Sequence, residues 1–187
     1  MLHWLKRQAR NWKRHLGTLA IALTALLAVQ AWQTRNVNTG HLSEAVLQTP
    51  VVLLMPGQAE QSLTFQTALQ QLQDERKQPV ALYLWADWCP ICRTLRSTAN
   101  SFSQDYPTLS IAMRSGPPSQ VQRYLQQHQL TWPTLVDTSG ALTRTLGFNA
   151  VPSFAIVTPK LELQTPTVGL TSSWGMRLRW WWAQLTR

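Results

Sequence analysis

Cys89 and Cys92 are the only cysteines in the 187-residue chain, and they stand three apart in Trp85-Ala86-Asp87-Trp88-Cys89-Pro90-Ile91-Cys92-Arg93. The apolar run Val80–Trp85 precedes them and a helical pattern follows, so a strand delivers the pair to the start of a helix. Unpaired N–H groups and the positive end of the helix dipole stabilise an anion there. Such sites lower a cysteine pKa from about 8.5 into the range of about 3.5 to 7.5. Cys89 is the candidate nucleophile. Cys92, one turn further in, is the candidate resolving thiol, expected to be more buried and protonated and placed to attack a mixed disulfide formed at Cys89. Pro90 fits the first turn, which needs no N–H and already wants the φ of proline. Trp88 offers apolar surface to a substrate chain beside the nucleophile, or simply shields the disulfide.

Metal chemistry is the competing use of two thiols. A structural zinc takes four ligands, and His3, His15, His41 and His128 are scattered without a second ligand pair at zinc spacing. Copper(I) is different, because two soft thiolates can hold it alone. Arg93, four past Cys89, either tunes the thiolate or is a solvated helix residue. Asp87 opposes thiolate formation unless it points to water.

Trp85-Ala-Asp-Trp-Cys-Pro-Ile-Cys-Arg93 after a buried strand resembles the active site of thioredoxin-like proteins, and Ala150-Val151-Pro152-Ser153-Phe154 is similar to their second signature. The likeness runs from about Val51 to Arg187. It is greatest to the membrane-tethered branch that includes TlpA-like and suppressor-for-copper-sensitivity D (ScsD) proteins, the latter through Gly169 to Arg179. The resemblance implies a thioredoxin fold, α/β in three layers with a central mixed sheet. It implies a cis Pro152 opposite the cysteines, with Trp88, Pro90, Ile91, Val151 and Pro152 receiving the substrate chain. It also implies thiol–disulfide exchange with periplasmic protein substrates, no cofactor and no metal. Electrons would arrive from a DsbD-like or ScsB-like membrane donor. A thiol oxidant and a copper(I)-binding or copper-tolerance protein are the alternatives. Two positions depart from the family pattern. Tyr83 stands six residues before Cys89 where thioredoxin carries a buried aspartate, and Ser153 follows the proline where several cytochrome-maturation relatives carry glutamate.

The rest of the chain must place this pair. Residues 1–15 hold Lys6, Arg7, Arg10, Lys13 and Arg14 and no acid, a positive-inside flank read as a cytoplasmic tail. Leu16 to Trp32 carries no charge and, at about 1.5 Å per residue, reaches roughly 26 Å, enough for a thin bilayer. Trp4, Trp12 and Trp32 as interface anchors favour a retained signal-anchor in the bacterial inner membrane over cleavage near Val29-Gln30-Ala31. Either way the remainder is periplasmic. Residues 33–50 read as a polar linker and residues 51–187 as the domain, long enough for one core. Six of the basic residues lie in residues 1–35, so only +3 of the formal +9 belongs to residues 36–187. Nucleic-acid binding, which needs a basic stripe on the folded domain, finds no support.

Within the domain, the pattern predicts strands at Val51–Met55, Val80–Trp85, Leu109–Met113, Thr134–Val136, Ser153–Thr158 and Leu163–Val168. It predicts helices over Thr64–Arg76, from Cys89 or Pro90 to about Gln104 with Ile91, Leu95, Ala99 and Phe102 inward, and from an Ser119 N-cap to about His128. His128 reads as a solvated cap at the dipole's negative end. A helical turn follows at Leu142–Leu146. In the closing helix Trp174, Leu178, Trp181 and Leu185 form one apolar face, with Trp180 and Trp182 flanking it. Those flanking rings either extend the core or, beside Arg177, Arg179 and Arg187, rest on a membrane or partner.

Overall fold

The computed structural model describes residues 2–73 and 77–186 and divides into two compact units, residues 1–35 and 36–187. The first unit is a single helix, α1 (Leu2–Thr34), running through both the basic tail and the apolar segment. Its His15–Thr34 portion, 20 residues of mean hydropathy 1.5, is long and apolar enough to cross a membrane.

The second unit is built on an eight-stranded mixed sheet. Its strands are β1 (Gly40–His41), β2 (Pro50–Leu54), β3 (Gln61–Thr64), β4 (Val80–Trp85), β5 (Thr108–Met113), β6 (Thr134–Asp137), β7 (Ser153–Val157) and β8 (Glu162–Val168), in the order β1-β8-β7-β4-β5-β6-β2-β3. β4 runs parallel to β5 and antiparallel to β7, and all six of its residues are buried. A strand covered on both faces needs a continuous apolar run rather than alternation, which is what Val80–Trp85 supplies. One core gathers Phe65, Leu69, Leu82, Leu84, Leu142 and Phe148 on one side of the sheet. The other gathers Tyr83, Trp85, Phe102, Val121, Trp132 and Trp180. The helices α2 (Glu44–Leu47), α3 (Phe65–Leu72), α4 (Pro90–Asp105), α5 (Pro118–Gln127), α6 (Ala141–Thr145) and α7 (Ser173–Leu185) cover these faces.

Several expectations are corrected. Residues 36–50 are no free linker: Val37, Leu42, Val46 and Leu47 are buried in the first core, and β1 pairs with β8. The stretch is mostly polar, with Val37 and Leu42 single and only Ala45-Val46-Leu47 together, which concealed this. Gly147, at φ +87°, lets the segment pass, because a side chain there would collide with the backbone of Asn36 and Val37. The third helix ends at Leu72, and the Asp74–Arg76 end of the predicted one lies outside the described residues. Pro117, not Ser119, is the N-cap of α5, without a side-chain cap bond. His128 is its C-cap and is exposed, as expected of a solvated cap, and its pKa is lowered by desolvation and by the charges of Arg96 and Arg93.

The closing helix turns the other way from its predicted face. Met176, Trp180 and Ala183 are buried, while Trp174, Leu178, Trp181, Trp182 and Leu185 are exposed. Trp180 decides the orientation: its indole N–H donates to the Pro79 carbonyl at 3.1 Å and its ring packs on Tyr106. Arg177 fixes the same face, its guanidinium bonding Asp105 at 2.7 Å and Tyr106 Oη at 3.2 Å. Trp180→Ala should therefore cost about 3 to 5 kcal/mol in chemical denaturation, whereas Trp174→Ala stays within about 0.5 kcal/mol. Equal losses at the two positions would put the helix in the wrong rotation.

Candidate active site

The chain leaves β4 through Ala86, Asp87 and Trp88 and enters α4 at Cys89, the N-cap, whose backbone is still extended (φ −86°, ψ 112°). Pro90 occupies the first helical turn, as its ring requires. At this junction the amide of Cys92 donates to the sulfur of Cys89 at 3.1 Å. Cys89 and Cys92 form a disulfide, and both are buried to within a few per cent of full coverage, so Cys92 is not the more buried of the two as expected: the closed bond holds both sulfurs under the head of the helix. Beside them Trp88 is 53% exposed and Ile91 is 46% exposed. Ile91 is thus not on the inner face of α4, where Leu95, Ala99 and Phe102 do lie. Immediately after the N-cap the helix rides over the surface, so the residue between the cysteines faces outward.

The loop before the site is tied down from three directions. Asp87 N–H donates to Ser115 Oγ at 3.1 Å, and Trp88 Nε1 donates to the Arg114 carbonyl at 3.0 Å. Arg93 turns back so that Nη2 donates to the Asp87 carbonyl at 3.3 Å, closing the loop rather than reaching the sulfur. The Asp87 carboxylate accepts from Gln120 Nε2 at 3.1 Å. Ser115 and Gln120 were not singled out by the sequence, and no local spacing marks them: they come from the turn after β5 and from α5, 28 and 33 residues away from Asp87.

The segment before β7 arrives from the other side. The Val151–Pro152 peptide is cis, Pro152 is buried and Val151 half-buried, and Cys89 Sγ lies 3.7 Å from the Val151 carbonyl oxygen. Ser153 is buried and spends its hydroxyl on the Ala150 carbonyl at 2.7 Å, so it faces its own turn. Tyr83 lies under the site, 2% exposed. The residues predicted to act together are therefore gathered at one end of β4: Trp88, Cys89, Pro90, Ile91 and Cys92 on one rim and Val151 and Pro152 on the other. Among the described residues no three or more His, Cys, Asp or Glu side chains gather in a way that could hold a metal ion.

A mixed sheet with a cysteine pair at the N-terminus of the helix after its central strand, opposite a cis-proline turn, defines a thioredoxin-fold protein with a thiol–disulfide site. Comparison with known proteins agrees. The chain belongs to the AhpC/TSA family of thioredoxin-like proteins, whose pattern matches residues 56–165. It is 31% identical over 111 residues to a thioredoxin-like protein of Haemophilus influenzae, covering 59% of this chain and 66% of that one. It is 22% identical over 99 residues to the sporulation thiol-disulfide oxidoreductase A of Bacillus subtilis, covering 49% and 60%. The match thus spans just under two thirds of those relatives' length. In fold it is similar to MTB DsbF, with a TM-score of 0.60 at 20% identity over 76% of this chain and 99% of that one.

A disulfide at this position predicts a simple mass change. The isolated full-length protein should take up no iodoacetamide until treated with dithiothreitol, and then two equivalents per chain, as read by intact mass. Alkylation without reductant would show that the pair is not closed.

Proposed function

We propose that this protein is a membrane-anchored thiol–disulfide oxidoreductase acting on protein substrates outside the cytoplasm, with Cys89 as the attacking thiolate and Cys92 as the resolving thiol. The observation that carries the reading is the Cys92 amide on Cys89 Sγ at 3.1 Å at the head of α4. A thiolate formed there gains a charge-assisted hydrogen bond, worth about 1.5 to 3 kcal/mol, and the positive helix end. Cys92 has no such placement. In the reductive direction Cys89 S⁻ attacks a substrate disulfide, one substrate thiolate leaves, and Cys92 then attacks Cys89 Sγ to close the enzyme disulfide and free the second.

Trp88 and Ile91 offer an exposed apolar rim next to the sulfur, and Val151 and Pro152 supply backbone on the opposite side. An extended substrate chain laid between them would add as a strand, its backbone meeting that of Val151. Pro90 holds the helix entry in shape between these contacts.

The basic flank and the apolar His15–Thr34 helix support a single-pass anchor with its N-terminal tail in the cytoplasm and residues 36–187 in the periplasm. In that compartment a reductive role needs electrons from a membrane donor of the DsbD or ScsB kind, which is the direction the sequence resemblance favours.

Iodoacetamide at mildly acidic pH should label Cys89 of the reduced protein well before Cys92. Cys92→Ser should accumulate mixed disulfides with periplasmic proteins, while Cys89→Ser accumulates none. Equal labelling, or trapping by the Cys89 variant, would reverse the roles. Stoichiometric copper(I) uptake with no exchange of thiols would replace catalysis by metal holding. A periplasm-active reporter fused after Arg187 should be active. An inactive one, with a cytoplasm-active reporter working instead, would overturn the topology.

A further inference from the structure

On the inner side of α4 a small cavity lies among Cys92, Tyr83, Arg96, Tyr124 and Trp132. Its volume, about 10 Å³, matches the room one water needs. Two of these residues carry buried polar atoms with no hydrogen-bond partner among the described residues: Tyr83 Oη and Trp132 Nε1. Their ring centroids lie 5.6 Å apart, and both residues line the same cavity.

The chemistry of the lining is one-sided. An indole N–H only donates. The Tyr83 phenol is kept protonated, its pKa raised by burial and further by Tyr124, so it too acts as a donor rather than as a base. Arg96, four residues past Cys92 and thus on the same face of α4, adds a cation, held in place where Nη1 donates to Tyr124 Oη at 3.3 Å. No carboxylate lines the cavity. Among the neighbouring charged groups, Asp87 is engaged by Gln120, Arg93 turns to the Asp87 carbonyl, and His128 packs edge-on against Tyr124 with its pKa lowered. Donors and a cation around a water-sized space favour an anion. The group in the lining with an ordinary pKa nearest neutrality is the Cys92 thiol.

We propose that this cavity takes up one water bonded by Tyr83 Oη and Trp132 Nε1, and that together with Arg96 it stabilises the Cys92 thiolate. In the resolving step the Cys92 thiol loses its proton to solvent, and the water, which accepts from Tyr83 and Trp132, donates its own hydrogen bond to the sulfur anion left behind. Cys92 S⁻ attacks Cys89 Sγ of the mixed disulfide, the Cys89–Cys92 bond forms, and the substrate sulfur leaves as thiolate and takes a proton from solvent. Two electrons pass from the enzyme dithiol to the substrate disulfide. When an electron donor later opens the enzyme disulfide at Cys89, the same donors stabilise Cys92 S⁻ as the leaving group. Tyr83, Trp132 and Arg96 are positioning residues in this scheme.

The proposal deepens the assignment of Cys92 as resolving thiol, but its test reads the Cys92 proton directly and so does not depend on which sulfur meets substrate first. Cys89→Ser leaves Cys92 as the single thiol and keeps a good N-cap side chain at the head of α4. In the full-length protein, ¹³C-cysteine NMR should give a Cys92 titration midpoint below the ordinary value of about 8.5. Tyr83→Phe, which keeps the ring, and Arg96→Gln should each raise that midpoint by about one unit. Tyr83→Asp should raise it above the ordinary value by adding a negative charge to the lining. A parent midpoint at or above the ordinary value, or one unmoved by either Tyr83→Phe or Arg96→Gln, would overturn the proposal and leave the cavity a packing defect.

Discussion

The amide of Cys92 rests on the sulfur of Cys89 at 3.1 Å because a buried strand hands the chain to a helix at that residue. Everything that makes the site follows from holding this junction still. β4 is buried along its whole length between two cores, and it is hydrogen-bonded on both sides by β5 and β7. The side-chain chain Trp85 Nε1 to Ser110 Oγ to Thr134 Oγ1, at 3.1 and 2.8 Å, links three adjacent strands beneath the helix. A helix end fixed by such a base can present unpaired N–H groups to a sulfur without being drawn into solvent.

Around the junction, polar contacts are made by groups distant in sequence. Ser115, Arg114 and Gln120 tie the Asp87–Trp88 loop, and the loop in turn keeps the Trp88 ring on the rim. Arg93 is spent on the Asp87 carbonyl. The electrostatics of the two sulfurs are therefore separate. Cys89 is served by the backbone at the head of α4, and Cys92 by the side chains of Tyr83, Trp132 and Arg96 behind it. Tyr83 is coherent with that division, because it places a donor on the inner side of α4 where a carboxylate would place a base.

What the sequence made legible follows the same physics. β4, the start of α4 and the β7–β8 hairpin could be read closely because each is specified locally: a continuous apolar run, a proline after the cysteine, two strands around Pro159-Lys160. The pairing of the cysteines with Val151 and Pro152 came from the family resemblance, since 62 residues separate Cys89 from Val151. Two features were misread for a physical reason. Residues 36–50 look polar on average, and only the sheet edge and Gly147 reveal where Val37, Leu42 and Val46 go. In α7 apolar residues occur on two faces, so spacing alone chose Trp174, Leu178, Trp181 and Leu185. The Pro79 carbonyl and Tyr106, which select Trp180, are tertiary partners that no periodicity encodes. Ile91 failed similarly, because a residue in the first turn of a helix need not share the burial of the turns behind it.

The central claim is that the Cys89–Cys92 disulfide is a working redox couple rather than a structural staple. The reduction potential of the full-length protein, equilibrated in thiol–disulfide buffers, tests this most directly. A working couple should follow a two-electron response, about 29.6 mV per tenfold change, with a midpoint between about −270 and −120 mV, where thioredoxin-like catalysts lie. A midpoint below about −300 mV, the region of structural disulfides in secreted proteins, would contradict the account.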